Sequence, residues 1–229
     1  MASSSTRSSK SGLASKLKTR ALARSFYERD TVAVAKDLLG KVLWVDDAEG
    51  EPCAVRIVET EAYRENDPAS HSCRGETPRS AIMFKNPGVA YVYFIYGMYE
   101  MLNFVTEPSG TAGAVLIRAG EPVAGVERML ARRHDRARAY TSKQRAELAA
   151  GPGKLCRALG IRMSDNGQSL EGPRIRVVDD GFAPDSISAS PRVGITQAKD
   201  TLWRFFVTGN PHVSRAPQNA MAQIAKRGA

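Results

Sequence analysis

No stretch of this chain is apolar enough to cross a bilayer. A spanning helix needs roughly 18 or more consecutive apolar residues, and the longest candidate, Val89 to Tyr99, is short and rich in tyrosine. A soluble protein is therefore expected. Cysteine is scarce as well. Cys53, Cys73 and Cys156 are odd in number and show no C-x-x-C spacing, which argues against a disulfide framework or a zinc site and for a reducing compartment. Acidic residues are missing altogether from residues 1–25, MASSSTRSSKSGLASKLKTRALARS, which carry six Lys or Arg, so that of the formal charge of +9 only +3 remains for residues 26–229. Such a basic, Ser-rich arm cannot bury enough apolar surface to fold alone and would attract polyanions through counterion release. The same composition fits an organelle transit peptide or a solvated tail. Internal repeats are also lacking. A length of 229 residues with 42% hydrophobic content favours one large domain.

Periodicity supplies the elements. Asp30 can cap a short helix over residues 31–39, whose apolar Val34, Ala35, Leu38 and Leu39 form one stripe, and Gly40 would end it. Residues 41–45 and 53–61 read as strands joined across the acidic turn DDAEGEP. Residues 64–88, punctuated by Pro68, Pro78 and Pro87, read as a long irregular loop. Loops of that length inside a domain are usually functional or disordered. Residues 89–96 and 101–106 predict two strands around Gly97, with a third at 114–119. Short links between successive strands imply an antiparallel meander. Residues 122–149 follow as a basic helical region, and Arg132, Arg133, Arg136 and Arg138 suggest either a phosphate-tracking face or a solvated one. Weaker strands are expected at 175–178 and 204–207. The GPGK at 151–154 is not a P-loop, because Leu148 and Leu155 occupy the first-glycine and Ser/Thr places. It predicts a helix packed through Leu155 and Leu159.

Several residues carry candidate chemistry. The stretch YVYFIYGMY, residues 91–99, holds four of the seven tyrosines. These rings suit a half-buried sheet, and they equally suit stacking against a flat ligand such as a nucleobase. In VRIVETEAY, residues 55–63, an unbroken strand would put Val55, Ile57, Glu59, Glu61 and Tyr63 on one face that starts apolar and ends acidic. A buried carboxylate there could serve as a general base, or either glutamate could be solvated or paired with arginine. Spacing does not choose between Glu59 and Glu61. Arg118 interrupts the apolar AVLIRA and requires a partner, for which Glu61 is a candidate. Asn103 is a buried amide that must be satisfied. His71 lies in the loop, where it is either polar surface or held against the sheet.

The ordered set RIVETEAY, ASH, TPRSAIMF, YVYFIYGMYEMLN, VLIRA, GPGKLCRALGI and RFFVTGNPHVS, running from about Phe26 to Ser214, resembles the alkyladenine (3-methyladenine, or methylpurine) DNA glycosylase family. The resemblance implies an α+β fold, a single mixed domain around a curved antiparallel β-sheet with peripheral helices. It divides the chain into an arm at 1–25, the glycosylase domain at 26–215 and a C-terminal tail at 216–229. It implies a base-excision repair enzyme that flips damaged purines out of double-stranded DNA and hydrolyses the N-glycosidic bond without metal or cofactor, as a monomer. The expected compartment is the bacterial cytoplasm and nucleoid, or the nucleus in a eukaryote, with organelle targeting by the arm left open.

By motif, the resemblance makes Glu61 the general base and Arg118 the holder of the attacking water. Tyr63, His71, Tyr93 and Asn103 become the base pocket, and Tyr96 the residue inserted into the duplex. Tyr91 and Tyr99 are left as packing residues, and Glu59→Gln is expected to be milder than Glu61→Gln. The matched positions contain no lysine for a Schiff base, so lyase activity is not expected. Two other functions compete. A non-catalytic nucleic-acid-binding protein explains the charge and tyrosines but not Glu61 with Arg118, and a metal-dependent hydrolase would rest on Glu59 and Glu61 alone.

Overall fold

In the computed structural model, residues 20–47, 50–134 and 140–225 are described. Most of the basic arm, residues 1–19, lies outside them, as do Arg136 and Arg138. The described chain begins by joining the sheet: Ala21 bridges Val178, and Leu22 N–H donates to Val177 O at 2.7 Å. A turn of helix, α1 (Arg24–Tyr27), and α2 (Thr31–Asp37) follow. Asp30 caps α2 by accepting from Ala33 N–H at 2.9 Å, as its position before the apolar stripe predicts. Gly40, at φ +92°, turns the chain into the sheet.

Nine described strands form one antiparallel sheet: β1 (Val42–Asp47), β2 (Gly50–Arg64), β3 (Ala90–Ile95), β4 (Tyr99–Val105), β5 (Gly113–Ala124), β6 (Ile175–Val178), β7 (Ile187–Ser190), β8 (Arg204–Val207) and β9 (Gln223–Ala225). The spatial order is β3-β4-β5-β2-β8-β7-β9, with β1 and β6 beside the first half of β2. The predicted meander is the β3-β4-β5 run. From the segment after residue 215, β9 adds an edge strand on β7. The sheet is open, and with its helices it makes a single α+β domain.

β2 organises the molecule because one of its edges changes partner midway. β1 pairs with it through Arg56, and β8 takes over from Glu59 to Glu61. At that junction the register against β5 slips twice. Ile57 pairs Gly120 and Glu59 pairs Ala119, so Val58 is the extra residue on β2; Thr60 then pairs Ile117, so Arg118 is the extra residue on β5. The bulge reverses the strand's parity. Val55 and Ile57 face the main core, and beyond the bulge that role passes to Thr60, which donates to Ala35 O of α2, and Ala62. The expectation that Val55, Ile57, Glu59, Glu61 and Tyr63 share one face is therefore corrected: the acidic residues lie on the face opposite to Ile57.

The basic helical region starts later than expected, because β5 continues through Ala124. After Gly125 come α3 (Val126–Arg133) and α4 (Ser142–Ala146), and then α5 (Pro152–Leu159) packs Leu155, Cys156, Ala158 and Leu159 into the core. Arg132 donates to Ala158 O and pairs with Asp47, and Arg133 donates to Leu148 O. These two guanidiniums tie α3 to the domain. Among the described residues no helix is long and apolar enough to cross a membrane.

Candidate active site

Alternation along β3, β4 and β5 separates the core from a cleft. Ala90, Val92, Leu102, Phe104, Val115 and Ile117 point into the core. Their sequence neighbours Tyr91, Tyr93, Met101, Asn103, Leu116 and Arg118 line a cavity of about 400 Å³ on the other face. Two loops build its walls: residues 68–71, from the Pro-punctuated segment, and residues 193–196, between β7 and β8. Tyr63 and Tyr96 complete it. The volume is that of a small-molecule site, lined by rings with a few convergent polar groups.

At the bottom of the cleft Arg118 joins two carboxylates. Its Nε donates to Glu59 Oε1 at 3.1 Å and its Nη1 to Glu61 Oε2 at 3.2 Å. Both glutamates are fully buried. Glu61 also accepts from Tyr63 O–H at 2.8 Å on Oε2 and from Val193 N–H at 2.8 Å on Oε1. Although Glu61 does not itself line the cleft, Tyr63, Arg118 and Val193 all do, so the carboxylate lies directly behind its wall. Glu59 is used differently. Its Oε1 accepts from Arg118, from Arg204 Nε at 2.6 Å and from Ser214 Oγ at 2.8 Å, while Oε2 accepts from Ser214 N–H at 2.8 Å. An ionised carboxylate offers about four lone-pair positions. Glu59 meets four protein donors, three on Oε1 and one on Oε2, and neither Arg204 nor Ser214 lines the cleft. Glu61 meets three, all from residues that line it, and keeps room for one more on Oε1. Spacing alone left the two glutamates equivalent, and their donor sets separate them.

The aromatic wall is coupled to His71. His71 Nδ1 lies 2.9 Å from Tyr91 Oη, and the imidazole stands edge-on to Tyr93 with centroids 4.7 Å apart. Desolvation, with the Arg79 cation adding to it, lowers the His71 pKa to about 4, so the ring is neutral at pH 7. Arg79 also lies over the Tyr93 ring, 5.0 Å from its centroid. Burial, reinforced by the Glu61 charge, drives the Tyr63 pKa well up and keeps its hydroxyl a donor. Asn103 is 3% exposed and satisfies its amide through Nδ2 donating to Tyr91 O at 3.2 Å. Tyr96 differs from all of these. It is 78% exposed at the tip of the β3–β4 hairpin, where φ is +53°. Although strand alternation would put Tyr93 and Tyr96 on opposite faces, this turn brings Tyr96 back to the cleft, and both line it.

Other participants escape the sequence. Tyr91, read as packing, supplies the hydroxyl that meets His71. Arg192, 1% exposed, pairs with Asp67, donates to Ala62 O at 2.9 Å, and lies over Tyr63 and Trp203 at 4.7 and 5.3 Å. It fastens the 193–196 wall to the 64–71 wall. Its local context, SPRVGIT, looks like an ordinary surface turn. Val193 acts through its backbone and has no side-chain signature at all.

The fold and site together define an α+β domain with an aromatic-lined cleft over a buried carboxylate–guanidinium cluster. The model of the methylpurine-DNA glycosylase family matches residues 25–211. The chain belongs to that family. It is 48% identical over 201 residues to a protein of Methanocella arvoryzae, covering 86% of this chain and 97% of that one. It is 46% identical over 196 residues to one of Prosthecochloris aestuarii, covering 84% and 90%, and 46% over 200 residues to one of Alkaliphilus oremlandii, covering 85% and 98%. Each relative bears the name "Putative 3-methyladenine DNA glycosylase".

Proposed function

We propose that this protein is a monofunctional DNA glycosylase that extrudes alkylated purines, 3-methyladenine among them, from duplex DNA and hydrolyses their N-glycosidic bond. The observation that carries the reading is the unequal placing of the two buried glutamates: Glu61 is bonded to three residues that line the cleft and has an acceptor position open on Oε1 where a water can bind, whereas Glu59 is held by Arg204 and Ser214, which do not line it. The flipped base occupies the cleft between Tyr63, His71 and Tyr93, with Asn103 below it. A cationic alkylpurine gains from the electron-rich ring faces, and a neutral His71 adds no repulsion. Stacking returns about 1–3 kcal/mol per base, and Tyr96, filling the vacated position in the duplex, helps to offset an extrusion cost of a few kcal/mol.

Glu61 and Arg118 then hold one water. As the C1′–N bond breaks, its electron pair leaves with the purine and positive charge develops on the sugar, which the carboxylate stabilises. The water oxygen bonds to C1′ and its proton passes to Glu61. The products are the free base and an abasic sugar. None of the residues lining the cleft is a lysine, which supports hydrolysis over a Schiff-base route. Incubation of the protein with alkylated duplex DNA in EDTA should release free modified purine and leave the abasic strand uncut. Retention of every modified base under those conditions would reject the reading.

A further inference from the structure

Glu59 lies too deep to touch a substrate, yet its bonds form part of a closed ring. From Glu59 the ring passes to Arg204 Nε, from Arg204 Nη1 to Ser190 Oγ at 3.0 Å, and along residues 190–193 to the Val193 N–H on Glu61. Arg118 Nη1 on Glu61 and Arg118 Nε on Glu59 complete it. Two carboxylates and two guanidiniums balance in charge, and Ser214 fixes Glu59 from outside the ring through both its N–H and its Oγ.

We infer that Glu59 is a positioning residue for the reaction: by claiming Arg118 Nε, it prevents the guanidinium from closing bidentately on Glu61 and so keeps open the acceptor position that the nucleophilic water requires. The inference rests on the glycosylase reading above. Its physical basis is the preference of an arginine fork for a single carboxylate through two parallel bonds. Arg118 does not take that geometry here. It is split between two carboxylates, one nitrogen to each: Glu59 and Glu61, two residues apart on β2, share a face, the Val58 bulge turns that face away from the one Ile57 takes, and Arg118 is the bulged residue of β5 at the same level. Arg204 and Ser214 hold the Glu59 carboxylate in place, so that Arg118 cannot draw it toward Glu61. With Glu59 neutral, Arg118 swings onto Glu61, fills its last acceptor position and leaves no seat for water.

The test uses the full chain and synthetic duplexes. In Glu59→Gln the single-turnover excision rate at saturating enzyme should fall about ten- to hundredfold, the scale of a small misplacement at a reaction centre, while affinity for uncleavable abasic-analogue DNA stays at the wild-type value. Since Glu59→Gln strands the buried Arg204 charge and so costs stability, Glu59→Gln/Arg204→Gln removes the pair together and should show the same loss at a wild-type melting temperature. In an Arg118→Lys background, where no fork exists, Glu59→Gln should cost little more. A folded paired variant that excises at the wild-type rate, or a Glu59→Gln loss that simply multiplies with Arg118→Lys, overturns the inference. Wild-type protein that releases no purine overturns the glycosylase reading instead. The geometric claim is then decided by a crystal structure of the paired variant: Arg118 should meet Glu61 through two nitrogens there, against Nη1 alone in the wild type, and a single unchanged Arg118–Glu61 bond overturns it.

Discussion

Glu59 and Glu61 carry the same functional group two residues apart on β2, and what divides their roles is how many donors the fold sends to each. Glu61→Gln keeps the size and the acceptor oxygen but removes the basic charge. Its excision rate should drop by the 10²–10⁴-fold that general-base catalysis typically contributes, about that range, while binding to abasic-analogue DNA persists. Single-turnover assays beside equilibrium binding check this, and near-normal excision would remove Glu61 from its role. His71 offers a second residue-scale test. Its folded-state pKa, about 4, lies below the ordinary 6.5, so the folded protein favours the neutral ring. The stabilisation this brings is complete above pH 6.5 and is lost as pH falls from there toward 4. Imidazole NMR should therefore show a neutral His71 at pH 6, and Arg79→Ala, which removes one of the two causes, should move the titration upward. An unchanged midpoint in that variant would show that Arg79 does not act on the ring.

The hairpin joining β3 and β4 stores strain at the point proposed to meet DNA. A bulky side chain at φ +53° is disfavoured, and the left-handed conformation costs a non-glycine residue about 1–2 kcal/mol. Tyr96→Gly should accordingly raise stability by up to about 1 kcal/mol, read as a higher denaturant midpoint, while losing the ability to keep a nucleotide extrahelical. Presenting the lesion opposite a gap lowers the extrusion cost and should rescue Tyr96→Gly more than Tyr93→Leu, which damages the base pocket itself. Equal rescue of the two would collapse their division of labour. Elements with strong periodicity were legible in the sequence, as the Asp30-capped α2 shows, and even the weaker β8 was signalled by its apolar Phe205 and Phe206. β7 was not, because ISAS is short and rich in serine, and β9 carries only three residues. The Val58 and Arg118 bulges were invisible for a further reason: they arise where β2 changes neighbours, and no local pattern encodes which strand lies alongside. Arg118 advertised its need for a partner by interrupting an apolar run, whereas Arg192 sat among turn residues and advertised nothing.

For the molecule as a whole, charge sits apart from the chemistry. Residues 1–19 carry four Lys or Arg and no acid, and a truncation should remove only these, because Ala21 and Leu22 are already bonded to β6. If the arm meets phosphates, its loss should flatten the slope of log affinity against log salt by up to about 3–4 units, at roughly 0.9 per phosphate, with excision at saturating enzyme preserved. An unchanged slope would leave the arm a targeting segment or an idle tail. The ring around Glu59 has a different reach along the chain. Its members come from β2, β5, β7 and β8, and the Ser214 contact spans 155 residues. Domains organise from the N-terminus as they are synthesised, but a nascent chain that has not yet delivered residue 214 to the outside of the ribosome holds two buried-to-be carboxylates with their counter-charges or donors still missing. During translation the proposed reaction centre therefore becomes whole only once residue 214 has emerged, and on the proposed mechanism a growing polypeptide that already contains the tyrosine hairpin and Glu61 cannot cut a glycosidic bond before then.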